Sequence, residues 1–242
     1  MSGHSHAKTV KRVKDANDQK RGKMFSKVSR IISVAAKEGA DPAFNNKLRQ
    51  ALDEAKKVNM PKENVERAIK RGTGEDTSEQ LEEVLYEALG PEGVSLIIEG
   101  ITDNKNRALV EVRALLQKHN FKLANEGSVR WAFEPKGIII ANCKPLVANL
   151  KNKEEVELLA IEAGAEDLDW DEEYLEILTK PDEIEQTKKT LEEGGFSIEK
   201  TVLGWKAKDK ITPSEKTQII VDKLADEFDE SETIQEFYSN LI

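Results

Sequence analysis

Lys20, Lys23, Lys27, Arg30 and Lys37 recur at helical spacing near the start of this chain. On a helix they line one face, opposite the apolar Met24, Val28 and Ile32. Lys8, Lys11, Arg12 and Lys14 precede them and Arg21 lies among them, while only Asp15 and Asp18 oppose the ten basic residues of the first 37. A polyanion relieves such self-repulsion, so the chemistry open to these side chains is the gripping of phosphates. Lys70 and Arg71 extend the same candidate set. Residues 1–77 hold 18 Lys and Arg against 10 Asp and Glu, and the remainder holds 19 against 36, so a net +8 module precedes a net −17 body. The overall pI near 5.1 conceals the split.

The kind of contact is constrained by what the basic module lacks. It has no Trp or Tyr, and periodicity puts both Phe25 and Phe44 in the core. Without aromatic platforms for bases, contacts run to phosphates, with strong salt dependence and weak sequence discrimination. A structured duplex, DNA or ribosomal RNA, fits this pattern. A helix-turn-helix over 45–71 is a poor alternative, because its second helix would carry Glu63 and Glu66 beside Lys62, Arg67, Lys70 and Arg71, and Pro61 stands where a reading residue belongs. A secondary anion contact is placed at Lys105 and Arg107, where Thr102-Asp103-Asn104 leads from a strand into a helix; capping by Asp103 or Asn104 is the plainer account.

Catalytic constellations are missing. Gly72-Thr73-Gly74-Glu75-Asp76 lacks the Lys-Ser/Thr of a phosphate-binding loop. His4 and His6 have no accompanying ligands, His119 sits at a helix end, and Cys143 has no activating neighbourhood. The acidic run Glu166–Glu173 has Glu172 and Leu178 where a calcium loop needs Gly and Glu, so it reads as a solvated acidic turn. No catalytic residue, metal, cofactor or small-molecule substrate is expected. The absence of an apolar h-region, the single cysteine and apolar runs far shorter than a bilayer point to a cytoplasmic protein with no membrane contact.

The elements that must position the cations are helices. Apolar spacing predicts one over Met24–Lys37, a second opening at Asp41-Pro42 with Leu48, Ala51 and Ala55 inward, and a third after Met60-Pro61 that stops at Gly72. Beyond a linker at 72–78, strands and helices alternate: strands at Val94–Ile101, Ser128–Phe133, Ile138–Ala141, Tyr174–Leu178, Phe196–Trp205 and Thr233–Tyr238, with a capping box at Thr212-Pro213-Ser214-Glu215 opening the last helix. The fold class is α+β multidomain, a three-helix domain followed by two small α+β sandwiches.

A set of ordered motifs carries a specific resemblance: Gly3-His4-Ser5, Lys20-Arg21-Gly22-Lys23, Asn59-Met60-Pro61-Lys62, Arg67 through Gly74, Tyr86-Glu87 with Gly90-Pro91-Glu92-Gly93-Val94, Thr102 through Arg107, Gly127-Ser128-Val129 and Glu162 through Asp167. The chain resembles the YebC/PmpR family over essentially its whole length. The resemblance implies ferredoxin-like sandwiches with one inserted in the other: a helical domain at 1–77, a discontinuous domain at 78–134 plus 205–242, and an inserted domain at 135–204. It also implies a non-enzymatic DNA-binding transcriptional regulator. Relatives that activate mitochondrial translation or relieve ribosome stalling imply the alternative, a ribosome-associated factor gripping ribosomal RNA. Transcription machinery and the ribosome are the corresponding partners. Where members commonly carry a Trp after Gly-His-Ser-Lys, this chain continues His6-Ala7-Lys8.

Overall fold

The computed structural model describes residues 18–75, 80–150 and 152–242. In chain order its elements are α1 (Asp18–Ala36), α2 (Asn46–Lys57), α3 (Lys62–Thr73), β1 (Glu82–Leu89), β2 (Ser95–Thr102), α4 (Lys105–Lys118), β3 (Lys122–Leu123), β4 (Phe133–Asn142), α5 (Lys144–Leu150), α6 (Lys153–Glu162), β5 (Asp167–Asp171), β6 (Tyr174–Thr179), α7 (Ile184–Glu193), β7 (Ser197–Ala207), α8 (Glu215–Glu230) and β8 (Ile234–Ser239). Two compact units divide them, one within 18–130 and 213–237, the other within 131–212 and 238–242.

In the first unit, α1 to α3 pack around Val28, Ile32, Leu48 and a series of alanines, Ala35, Ala36, Ala51, Ala55 and Ala68. Burying Ile32 and Leu48 completely contributes roughly 1.5–3 kcal/mol each. The alanines let the helices approach closely, and Gly72 takes this furthest. A Cβ there would stand 2.2 Å from the Ser33 carbonyl oxygen and 2.7 Å from Ala36 Cβ, so α3 rests backbone to backbone on the end of α1. Ser33 Oγ adds a 2.9 Å contact to the Ala68 carbonyl.

Helix α2 does not open at Asp41-Pro42. Those residues make a turn in which the Asp41 carbonyl accepts the N–H groups of Phe44 and Asn45, and Asp41 Oδ1 accepts that of Ala43. Asn45 is the cap. Its Oδ1 accepts the Leu48 N–H at 3.0 Å, and its Nδ2 donates to the carbonyls of Ala35 and Gly39. One amide thus closes the end of α1 and the start of α2, which Asp41 could not do because a carboxylate has no donor.

The same unit holds a four-stranded sheet of order β3-β1-β2-β8, with β1 and β2 an antiparallel hairpin from Glu82 opposite Thr102 to Leu89 opposite Ser95. The hairpin turn places Glu92 beside the start of α8, where its carboxylate accepts both the N–H and the hydroxyl of Ser214. Ser214 Oγ in turn accepts the Thr217 N–H at 3.3 Å, which makes Ser214 the cap of α8, two residues later than the Thr212 capping box predicts. Residues 128–132 are not a strand either. Gly127, Val129 and Arg130 turn their N–H groups onto the carboxylate of Glu87, which is 2 % exposed in β1. Burial alone would push this carboxyl up, but the three donors and the nearby Arg130 hold it below the usual carboxylate range.

The second unit has sheet order β5-β6-β4-β7 with α5, α6 and α7 in the connections. This β-α-β-β-α-β course is that of a ferredoxin-like sandwich. Its core includes Ile139, Ala141, Val156, Ala160, Leu175, Ile177 and Leu191. The acidic run is not a solvated turn but the edge strand β5 and its hairpin. Leu168 and Trp170 pack on the core, while Asp167, Asp169 and Asp171 alternate with them, and a charged edge strand resists pairing with other chains.

Candidate nucleic-acid interface

Lys8, Lys11, Arg12 and Lys14, with His4 and His6, lie outside the described residues. Lys20 and Arg21 fall in the first turn of α1. The next three cations of the predicted stripe are turned onto the same unit's own α8 and β2. Lys23 Nζ pairs with Glu230. Lys27 Nζ lies 3.3 Å from the Phe228 carbonyl, at the C-terminal end of α8 where the helix dipole favours positive charge. Arg30 donates to the Ile101 carbonyl at 3.0 Å and stands 3.6 Å from the Glu232 carboxylate, which also accepts from Ser26 Oγ at 3.2 Å. The end of α8 and Ile101 thus supply these three cations with acceptors within the same unit.

The basic residues of α3 are placed differently. Arg67, Lys70 and Arg71 stand at i, i+3 and i+4 and share one side of the helix. Arg67 and Lys70 are exposed, and none of the three has an ion-pair partner among the described residues. Arg71 is half-buried, with its Nε–H buried and unpartnered. Lys70 and Arg71 occupy the last turn, where the helix dipole favours positive charge, and Gly74 ends the helix at φ 78°. Lys62, further back, leans toward Glu66 at 3.6 Å. The seat of Gly72 on Ser33 and Ala36 fixes the position of this cluster.

At the start of α4 the polar residues satisfy one another. Asn104 Oδ1 accepts the Arg107 N–H and Thr102 Oγ1 accepts the Asn104 N–H, both at 3.0 Å. Lys105 pairs with Glu82 at 2.6 Å and Arg107 with Asp103. The Lys105 hydrogen bond holds the Glu82 carboxyl below its ordinary range. Local capping is what the structure displays here.

Two residues that sequence reasoning placed poorly stand out. Phe44 is 91 % exposed instead of buried. Asn45, its neighbour, turns inward to reach the carbonyls of α1, and the ring is carried outward on the turn. Arg67 appeared only as part of a rejected reading helix, although its spacing to Lys70 and Arg71 was visible in the sequence. The Asp-Pro-x-x-Asn spacing was the available signal for Phe44.

Groups with reactive potential are occupied structurally. Cys143 is fully buried and burial pushes its thiol up to about 12, where no thiolate forms at neutral pH. His119 caps α4, with its Nε2 3.0 Å from a Glu227 oxygen that Lys118 also contacts. Lys118 and His119 hold the Glu227 carboxyl below its usual range. No helix among the described residues is long and apolar enough to cross a membrane.

Comparison with known proteins covers the chain almost end to end. The family model described as the TACO1/YebC protein N-terminal domain matches residues 5–75, and that of the TACO1/YebC second and third domain matches residues 81–241. A probable transcriptional regulatory protein of Persephonella marina is 44 % identical, with 99 % of this chain and 95 % of that protein covered. One of Chloroflexus aggregans is 40 % identical over 100 % of this chain and 95 % of its own. The crystal structure of the conserved hypothetical protein Aq1575 from Aquifex aeolicus superposes with a TM-score of 0.85 at 42 % identity, over 93 % of this chain and 91 % of that one. With both of its regions matched and full-length relatives at this identity, the chain belongs to the TACO1/YebC family.

Proposed function

We propose that this protein is a non-enzymatic, cytoplasmic regulator that binds nucleic acid through phosphate contacts of its helical region. The observation that carries the proposal is the cluster Arg67, Lys70 and Arg71, three cations on one side of a fixed helix without ion-pair partners among the described residues. The relatives' shared name, probable transcriptional regulatory protein, supports a regulator that acts on DNA. Lys8, Lys11, Arg12, Lys14, Lys20 and Arg21 would add phosphate contacts from the segment preceding Lys23. The acidic remainder, net −17 beyond residue 77, repels the rest of the polyanion and confines contact to this region.

A second reading, a ribosome-associated factor gripping ribosomal RNA, is favoured by one feature of α3. Glu63 and Glu66 share the helix with the cations, and Pro61 occupies its N-cap position. A helix that reads bases leads with its N-terminal residues, and a proline followed closely by a carboxylate suits phosphate contact better than base readout. Two assays separate the readings. A DNA footprint that survives excess nonspecific competitor is the outcome expected of a transcriptional regulator. Salt-sensitive co-sedimentation with ribosomes, with no competitor-resistant footprint, is expected of the translational one. Failure of both assays would overturn the nucleic-acid proposal.

A further inference from the structure

Phe44 departs most sharply from ordinary placement. A phenylalanine almost entirely in solvent gains nothing for the fold, and the hydrogen bonds that join α1 to α2 fix its backbone in that position. Three bonds to Asp41 shape the turn, and the buried Asn45 amide fastens it to Ala35 and Gly39 at the end of α1. Pro42 restrains the same turn. The ring's backbone is therefore fixed before any partner arrives, and little ordering entropy remains to be lost on binding. Pro42 and Ala43 also wall an open apolar groove with Leu52, Met60 and Val65.

Its location gives the ring a partner chemistry. The turn is seated on Ala35 and Gly39, and the end of α3 is seated on Ser33 and Ala36, so Phe44 and the cluster of Lys70 and Arg71 share one end of the helical region. An aromatic ring and unpaired cations at one end of the helical region match the two halves of a nucleotide, base and phosphate. A partner matched by apolar area alone would leave the cations unused.

Building on the phosphate-binding function proposed above, we infer that Phe44 is a stacking platform for one unpaired base of the bound nucleic acid, in a loop, bulge or single-stranded segment, while Arg67, Lys70 and Arg71 hold the adjoining phosphates. The protein would then prefer structured nucleic acid with an extruded base over a plain duplex.

The test uses the full chain and a hairpin with 2-aminopurine in a four-base loop, prepared as RNA and as DNA, beside the blunt duplex of the same stem. Phe44→Ala is expected to weaken hairpin binding by about tenfold, within the range for loss of one base–aromatic stack. Duplex affinity and the salt slope should not change, Phe44→Trp should restore hairpin binding, and the parent chain should quench the 2-aminopurine. The more affected hairpin identifies the source of the base. Parent-like hairpin binding by Phe44→Ala would overturn the inference and assign the ring to a protein contact. Lys70→Glu with Arg71→Glu separates the two proposals. If that variant loses both probes while Phe44→Ala loses neither, the platform fails and the phosphate site stands. If Phe44→Ala loses the hairpin while the charge variant binds both probes normally, the platform stands and the phosphate site fails.

Discussion

The helical region has two basic faces, and the protein treats them oppositely. On α1, Lys23, Lys27 and Arg30 meet the carboxylates and carbonyls at the end of α8 and at Ile101. On α3, Arg67, Lys70 and Arg71 have no ion-pair partner among the described residues. Both faces have helical spacing, and α1 carries the higher net charge. The difference teaches that a cationic stripe in sequence does not distinguish an interface with a foreign polyanion from an interface with an acidic helix of the same chain. Only the partner's position decides.

The largest expected effect sharpens this contrast. Reversing Arg67, Lys70 and Arg71 to Glu should cut nucleic-acid affinity by on the order of 100-fold in fluorescence anisotropy. Reversing Lys23 and Lys27 should cost far less affinity and act chiefly on stability. An equal loss from both variants would break the contrast.

Next comes the seat of α3. Gly72→Ala places a methyl group against the Ser33 carbonyl and Ala36, where backbone must move, and should destabilise the chain by about 2–3 kcal/mol in denaturant titration. If binding survives at temperatures where the variant stays folded, the seat holds the helix without setting the cluster's geometry.

Glu87 tests a contact that belongs to neither basic face. Glu87→Gln keeps the shape but gives up a charge that accepts three backbone N–H bonds, and should cost roughly 2 kcal/mol. Because its folded pKa is depressed, the carboxylate's stabilisation is present above its unfolded pKa, near 4.3, and disappears as pH falls through the lower folded value. Acid denaturation curves of parent and variant should converge at the acid end, with nucleic-acid affinity unchanged at neutral pH.

The smallest effect is expected at the docked face. Glu230→Gln removes one half-exposed ion pair and should change stability by less than about 1 kcal/mol, less still at high salt. A loss of several kcal/mol would mean that the pair anchors α1 far more firmly than an exposed contact should.

The architecture was legible where periodicity was strong. Three helices and alternating α and β elements followed from apolar spacing, and the ferredoxin-like course was implied by the family resemblance. What escaped depended on contacts distant in sequence. Asp41-Pro42 has the local form of a helix start, but Asn45 reaches two carbonyls of α1. Thr212 likewise yields the cap to Ser214 because Glu92 arrives from another hairpin. Ser128–Phe133 has strand composition, but a buried carboxylate from β1 collects its N–H groups. Charge concealed β5, whose aspartates alternate with Leu168 and Trp170 as an edge strand allows. In the candidate site, the type of residue was visible in sequence, whereas the docking of α1 on α8 was not, since Glu230 and Glu232 lie about 200 residues away.

The central claim is that α3 supplies the phosphate contacts, and salt titration tests it most directly. Each phosphate contact contributes about −0.9 to the slope of log Kobs against log salt on duplex DNA, so Lys70→Gln with Arg71→Gln should make the slope shallower by about 2. Lys23→Gln with Lys27→Gln should leave it nearly unchanged. An unaltered slope in the α3 variant, with a shallower slope in the α1 variant, would contradict the account and return the interface to the docked helix.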